Sequence, residues 1–332
     1  MANIIVRPDW FVAERYVTPE SAFRNRRHFL RQVGVAGAGL LSAPLIGCGK
    51  EGDPAVSSPK PTGDPAASAS VSKYPAKRNP DFSPDWKLTK EEAAATLNNF
   101  YEFFPNRATD VRKLTSKFIT SPWPVQITGL VEKPMTLDVE EIVRMMSLEE
   151  RVYRFRCVEA WAMIVPWTGF PLSQLIEKVS PKPEAKFLRF ETFNRPDQAP
   201  GMARTANSYP WPYFEGLRMD EAMHPLTMGV TGIYGKPLPK QHGAPIRIVV
   251  PWKYGYKSIK SIVKIEFTDK QPKTFWEALQ PEEYPFESNV NPAVPHPRWS
   301  QATERLIDSG DRVKTLPYNG YGDSVAKLYA KK

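Results

Sequence analysis

Residues 151–161 read RVYRFRCVEAW, and the reading of the whole chain grows from this stretch. Bulky apolar residues alternate with arginines, the period-two pattern of a strand with unlike faces. A strand is predicted over Val152–Cys157, with Tyr153, Phe155 and Cys157 on one face and Arg154 and Arg156 on the other. Cys157 closes it on the apolar side, with Glu159 two positions on. Further strands are predicted over Val125–Val131, Phe187–Phe193, Ile246–Val250 and Ile262–Phe267, where β-branched and aromatic residues dominate. Leu172, Leu175, Ile176 and Val179 share one helical face, with Pro171 suited to the first turn. A weaker helix is predicted over Glu140–Met146, with Thr136 as its cap. The Pro-, Gly- and aromatic-rich stretches 209–216 and 229–243 read as ordered loops. No repeat and no alternating βαβ run is present, so the pattern predicts an α+β domain of mixed sheets with helices.

Composition narrows the function. Of 332 residues, 41% are apolar and 12% aromatic, enough for a sizeable core and too many for global disorder. The 34 prolines against 19 glycines favour strands and irregular connections over long helices. Net charge is +9 but dispersed, so no nucleic-acid partner is expected. Two cysteines exclude a disulfide framework or Cys-rich zinc module, and four scattered histidines argue against a multi-His metal site. There is no Walker loop, G-x-G-x-x-G, G-x-S-x-G or H-E-x-x-H, which removes nucleotide, hydrolase and zinc-protease chemistry.

The N-terminus reads as an address. Arg26 and Arg27 in NRRHFLR (25–31), followed by a weakly apolar Gly/Ala run from Val33 to Ile46, have the layout of a twin-arginine export signal. That run is shorter than the roughly 20 residues a membrane span needs. Residues 1–48 are therefore expected to be a signal and the mature protein periplasmic. Leu45-Ile46-Gly47-Cys48 matches a lipobox, in which Cys48 is lipidated and tethers the protein to the membrane; ordinary cleavage nearby is the other reading. Residues 49–73 are a Pro/Ala/Ser-rich linker without large apolar side chains, and the folded domain is expected over 74–332.

Two readings of Cys157 stand on the residues alone. It is a buried free thiol, the commonest state of a lone cysteine, or a soft ligand for a thiophilic metal such as molybdenum. In an oxidising compartment an exposed thiol is a liability, so something is expected to occupy or shield it.

Three stretches, RCVEAW (156–161), VPWTGFPL (165–172) and GAPIRIVVPWKYGYKSIK (243–260), resemble the sulfite-oxidase-like molybdoenzymes. More narrowly, NNFYEF (98–103), DEAMHPL (220–226) and HPRWSQATER (296–305) make the chain similar to catalytic subunits of periplasmic protein-methionine-sulfoxide reductases. The resemblance runs from about Asn98 to Tyr321 and implies a sulfite-oxidase-like molybdopterin-binding fold. It also implies one molybdenum–molybdopterin per chain, with Cys157 as the metal's thiolate ligand. Asn98, Tyr101, Glu102, Thr192, His242, Arg247, Ser258, Ile259 and Lys260 match its cofactor-contacting positions. Arg247, Lys257 and Lys260 suit the phosphate at the end of the pterin. Some relatives carry Asn at position 242. Glu159 is a candidate proton relay, and Trp161, Trp167 and Trp252 are candidates to line a sulfoxide pocket. His224 and His296, each before a proline, are assigned no catalytic role.

The implied reaction is reduction of methionine sulfoxide in oxidised periplasmic proteins. A haem-containing membrane subunit would supply the electrons, because no C-x-x-C-H or iron–sulfur cysteine set is present. Sulfite oxidation, or another S- or N-oxide, is the alternative within the fold; a cofactor-free periplasmic binding protein is the alternative outside enzymes. Sulfite oxidases follow their cysteine with a Gly-Asn-Arg type of segment, where this chain has Val158-Glu159-Ala160. Without room for the extra dimerisation domain of that branch, a monomeric catalytic subunit is expected.

Overall fold

Strands pair out of chain order in two sheets, each combining parallel and antiparallel neighbours. The computed structural model describes residues 73–330; the signal expected over 1–48 and the linker up to residue 72 lie outside the described residues. Within them run twelve strands: β1 (Pro124–Gly129), β2 (Met135–Asp138), β3 (Glu149–Arg156), β4 (Trp161–Pro171), β5 (Phe187–Thr192), β6 (Phe214–Arg218), β7 (Met228–Ile233), β8 (Lys236–Pro237), β9 (Arg247–Val249), β10 (Ile262–Thr268), β11 (Thr303–Leu306) and β12 (Arg312–Lys314). One sheet has the order β2-β1-β10-β5-β6. The other runs β12-β11-β4-β7-β8, with β3 paired to β4 and β9 to β7. Side chains from both sheets, among them Val125, Phe190, Val165 and Trp167, meet in one buried cluster. The high proline content has the expected consequence: no α-helix among the described residues exceeds seven residues. The chain is an α+β protein of mixed sheets, as the residue pattern predicts.

β3 carries the stretch around Cys157 and pairs antiparallel with β4 from Glu149–Gly169 to Arg156–Ala162. The strand is present, but its expected polar face is corrected by the structure. Tyr153 and Phe155 are buried, and so is Arg156, whose side chain is fully enclosed. A guanidinium tolerates burial only with compensating partners. Glu304 on β11 supplies one, 3.1 Å from Arg156 and also paired with Arg154. Alternation within β3 cannot report this, because the covering carboxylate comes from about 150 residues further along the chain.

Other boundaries also move. The helix over Val139–Met145 is capped by Asp138, not Thr136: the Asp138 carboxylate accepts from Glu140 N at 2.9 Å, while Glu141 reaches back to Asp138 N. Thr136 belongs to β2. The Leu172–Lys178 helix buries Leu172, Leu175 and Ile176 as predicted, but Pro171 is its N-cap and the last residue of β4 instead of a first-turn residue. Parts of the two expected loops are strands β6, β7 and β8. The glycines that read as loop signals in β7 are sites of close approach between strands. A Cβ on Gly229 would sit 2.6 Å from the Phe170 ring on β4, and one on Gly169 would fall on the Gly229 carbonyl oxygen.

Candidate active site

Cys157 follows the last residue of β3 and opens a tight turn back into β4. Its N–H donates to Trp161 O at 2.9 Å, and Ala160 N–H returns to Cys157 O at 3.1 Å. The turn places Ala160 at φ 62°, a left-handed conformation that disfavours a residue with a Cβ. The thiol thus projects from the strand end into a cavity of about 530 Å³. Asn99 Nδ2 lies 3.3 Å from Cys157 Sγ and 3.1 Å from Glu159 Oε2, and the Trp161 indole N–H donates to that same oxygen at 3.2 Å. Burial, reinforced by the Glu159 carboxylate, pushes the thiol up to about 12. A soft cation beside the sulfur would reverse this by stabilising thiolate.

Of the residues singled out in the sequence, the structure brings Asn98, Tyr101, Glu102, Cys157, Glu159, His242, Arg247, Ser258, Ile259 and Lys260 to the wall of this cavity. They come from four separate segments. Asn98 and Lys260 belong to neighbouring walls, joined where Lys260 Nζ donates to Asn99 O at 2.7 Å. Arg247, at the start of β9, donates to His242 O at 2.9 Å and Ser258 O at 2.8 Å, drawing those two segments together. Thr192 is not on the wall. Its hydroxyl donates to Lys260 O and Ser261 O at 2.9 and 3.0 Å, supporting the lysine-bearing loop from behind.

Three readings are corrected. Lys257 is fully buried away from the cavity, paired with Glu215 at 2.7 Å, and so is not free for a ligand phosphate. Trp167 lies behind the wall, edge-on to His242, and Trp252 is elsewhere in the core, donating to Tyr329 OH. Of the three candidate tryptophans only Trp161 faces the cavity. The reading of the residues also passed over Asn99 and the aromatic rim of Tyr209, Tyr256, Trp276, Tyr284 and Trp299, with Arg298. Asn99 had a signal in the doubled asparagine of NNFYEF, but strand or turn register alone cannot say which amide faces a thiol 58 residues away. Trp299 and Arg298 lie in the HPRWSQATER motif, to which the sequence assigns no role.

The electrostatics ask for an anion. Arg247 is buried without a carboxylate partner among the described residues, lying 5.0 Å above Trp167 and 5.4 Å above Phe155. Desolvation pulls its guanidinium down to about 9. Burial also pulls Lys260 down and pushes Glu102 up, each opposed by the other's charge. The buried amide oxygens of Asn98 and Asn99 have no hydrogen-bond partner. Orphaned amide oxygens, a buried arginine without a carboxylate and a soft sulfur converge on a space within the roughly 300–1,000 Å³ range of cofactor sites. This donor set fits a sulfur-ligated metal carried by an organic group ending in phosphate.

His242 yields a pH prediction. Burial, with Arg247 and Lys260 nearby, lowers its imidazole from 6.5 to about 3. The unfolded chain then binds a proton that the folded chain refuses between those two values. The associated stability is fully present above pH 6.5 and is lost as pH falls toward 3. In ligand-free protein His242→Asn is expected to lose about 2 kcal/mol less than the parent between pH 7 and pH 5, measured by chemical denaturation.

Known proteins similar to the chain include molybdopterin-binding oxidoreductases. The model of the oxidoreductase molybdopterin binding domain matches residues 112–276. A curated relative from Xanthomonas campestris pv. campestris, named protein-methionine-sulfoxide reductase catalytic subunit MsrP, is 47% identical, the match covering 95% of this chain and 94% of that protein. One of the same name from Burkholderia mallei is 46% identical over 94% of this chain and 91% of its own length. Among solved structures, the sulfane dehydrogenase SoxCD from Paracoccus pantotrophus superimposes with a TM-score of 0.42 at 19% identity, covering 68% of this chain and 58% of its own.

Proposed function

We propose a function from the premise that the chain belongs to the family of protein-methionine-sulfoxide reductase catalytic subunits and is a molybdopterin-binding oxidoreductase. The reaction is two-electron reduction of methionine sulfoxide in periplasmic proteins: sulfoxide, two electrons and two protons give thioether and water. The observation that carries this reading is a soft thiol and a buried arginine without a carboxylate partner among the described residues on the wall of one cavity, with Lys260 and aromatic side chains on the same wall.

The molybdenum–molybdopterin group, one per chain, supplies the two-electron redox chemistry when bound. Cys157 would be its sulfur ligand from the protein. Arg247, Lys260 and the Ser258–Lys260 backbone would hold the phosphate end; Asn98, Tyr101, Glu102, His242 and Ile259 would flank the pterin, with Thr192 behind them. Glu159 Oε2 accepts from Asn99 Nδ2 and the Trp161 indole beside the thiol, which fixes the carboxylate and leaves Oε1 as the oxygen that would hold and release a proton. Its negative charge also disfavours a sulfite dianion and admits a neutral sulfoxide. The rings of Tyr101, Tyr209 and Trp276 offer an aromatic surface to the thioether, since sulfur–aromatic contacts are favourable.

Electrons would come from a haem-bearing membrane subunit, a reading supported by the shortage of cysteines for any haem or cluster. The Arg26-Arg27 signal supports export of the protein to the periplasm, and Cys48 a lipid tether near such a partner. The test is elemental analysis and turnover of the full chain from a molybdopterin-producing host. About one molybdenum per chain, with reduced dye oxidised on addition of a methionine-sulfoxide protein, is the expected outcome. A folded protein free of metal overturns the reading; metal without sulfoxide turnover removes the substrate.

A further inference from the structure

The turn that presents Cys157 is held from outside. Within residues 157–160 the left-handed Ala160 has one backbone hydrogen bond, its N–H to Cys157 O, and such conformations persist where surrounding contacts over-determine them. Those contacts come from residues 299–305. The Trp299 indole N–H and the Gln301 amide N–H both donate to Val158 O, at 2.7 and 2.8 Å. The other end of the Gln301 amide accepts from Arg156 Nη2 at 2.6 Å, while Arg156 Nη1 donates to Cys157 O at 2.6 Å. Arg305 N–H takes Ala160 O at 2.9 Å. Every carbonyl of the turn except that of Glu159 is therefore engaged by this segment or by the arginine it supports.

We propose that Gln301 is a positioning residue for Cys157, its amide bridging Arg156 and the Val158 carbonyl so that the thiol is presented in one orientation. A primary amide serves both contacts at once, accepting from the guanidinium through its oxygen and donating to the carbonyl through its nitrogen. Trp299 is the second brace, itself fixed by stacking on His296 with ring centroids 3.8 Å apart and planes 8° from parallel. The Arg156–Glu304 pair completes the frame by fixing the guanidinium. The bracing segment lies outside residues 112–276, the span matched by the family model. The importance of Cys157 rests on the proposed function; the bracing geometry does not.

The test compares the parent full chain with Gln301→Met, which keeps side-chain length and packing but loses both hydrogen bonds. Amide hydrogen exchange of residues 157–161 is expected to accelerate about tenfold, because loss of the one bond made directly to the turn, at Val158 O, favours local opening by that order. The melting temperature should change little, because Arg156 keeps Cys157 O, Thr315 and Glu304. In protein carrying cofactor, the visible absorption is expected to shift and kcat to fall about tenfold at unchanged KM. If Gln301→Met fails to fold, Trp299→Phe carries the same test, since it keeps the stack and removes only the indole donor. Unchanged exchange and absorption in the variant that folds overturn the proposal, as does exchange that accelerates evenly across the domain. Faster exchange at the turn in a chain that binds no molybdenum leaves the brace standing and removes the proposed function. Parental exchange in a chain active on sulfoxide does the reverse.

Discussion

Cys157→Ser is expected to abolish turnover, lowering sulfoxide-dependent dye oxidation by at least about 10³-fold, because the hard hydroxyl is a poor substitute for a thiolate toward a thiophilic metal. The fold should survive. Cys157 is buried, but its sulfur receives only two weak N–H···S hydrogen bonds, from Asn99 Nδ2 at 3.3 Å and Glu159 N–H at 3.4 Å, which a hydroxyl can accept in part. The structural cost should therefore be about 1 kcal/mol, and chemical denaturation of the ligand-free protein measures it separately from activity. Retained turnover in the serine variant would refute the ligand role outright. Loss of turnover together with loss of folding would show that the thiol serves packing, the other reading its burial allows.

The second large effect concerns Arg247. Its guanidinium is enclosed, has three carbonyl partners and faces no described carboxylate, so one buried charge waits for an anion. Arg247→Met is expected to weaken cofactor retention by about 10²–10³-fold, as loss of a buried charge-assisted contact to phosphate costs about 3–4 kcal/mol. Molybdenum content after extended dialysis reads this directly. Lys257→Met is the informative contrast. Lys257 is also a buried cation and only ten residues away, but it is committed to Glu215, so its loss leaves a buried carboxylate unpaired. That variant should lose global stability, whereas Arg247→Met should lose cofactor selectively. If the two behave alike, Arg247 is a structural cation and the phosphate site lies elsewhere.

The contrast between these cations explains how far a linear reading reaches. Arg247, Lys257 and Lys260 look equivalent in GAPIRIVVPWKYGYKSIK. Their fates differ because Glu215, from β6, reaches one of them and not the others. The three tryptophans behave likewise: each lies in an apolar stretch, but only Trp161 adjoins the Cys157 turn. Asn99 and Gln301 could not be ranked as neighbours of the thiol, since their separations of 58 and 144 residues are closed only when the sheets assemble. The glycines of β7 look like loop punctuation, yet they mark where two strands approach too closely for side chains.

Local chemistry, by contrast, could be read directly. β-Branched and aromatic runs mark β1, β3, β5, β9 and β10, because strand preference depends on each residue's own shape and its immediate alternation. Apolar spacing marks the Leu172–Lys178 helix for the same reason. For Cys157 the residues alone leave a buried free thiol and a metal ligand both open, and the second is what the resemblance of the surrounding motifs implies. Which side of β3 is wet, which lysine is free, and what holds the Cys157 turn depend on partners up to about 150 residues distant. Burial and charge pairing are properties of assembled neighbours, and a chain acquires them only by folding.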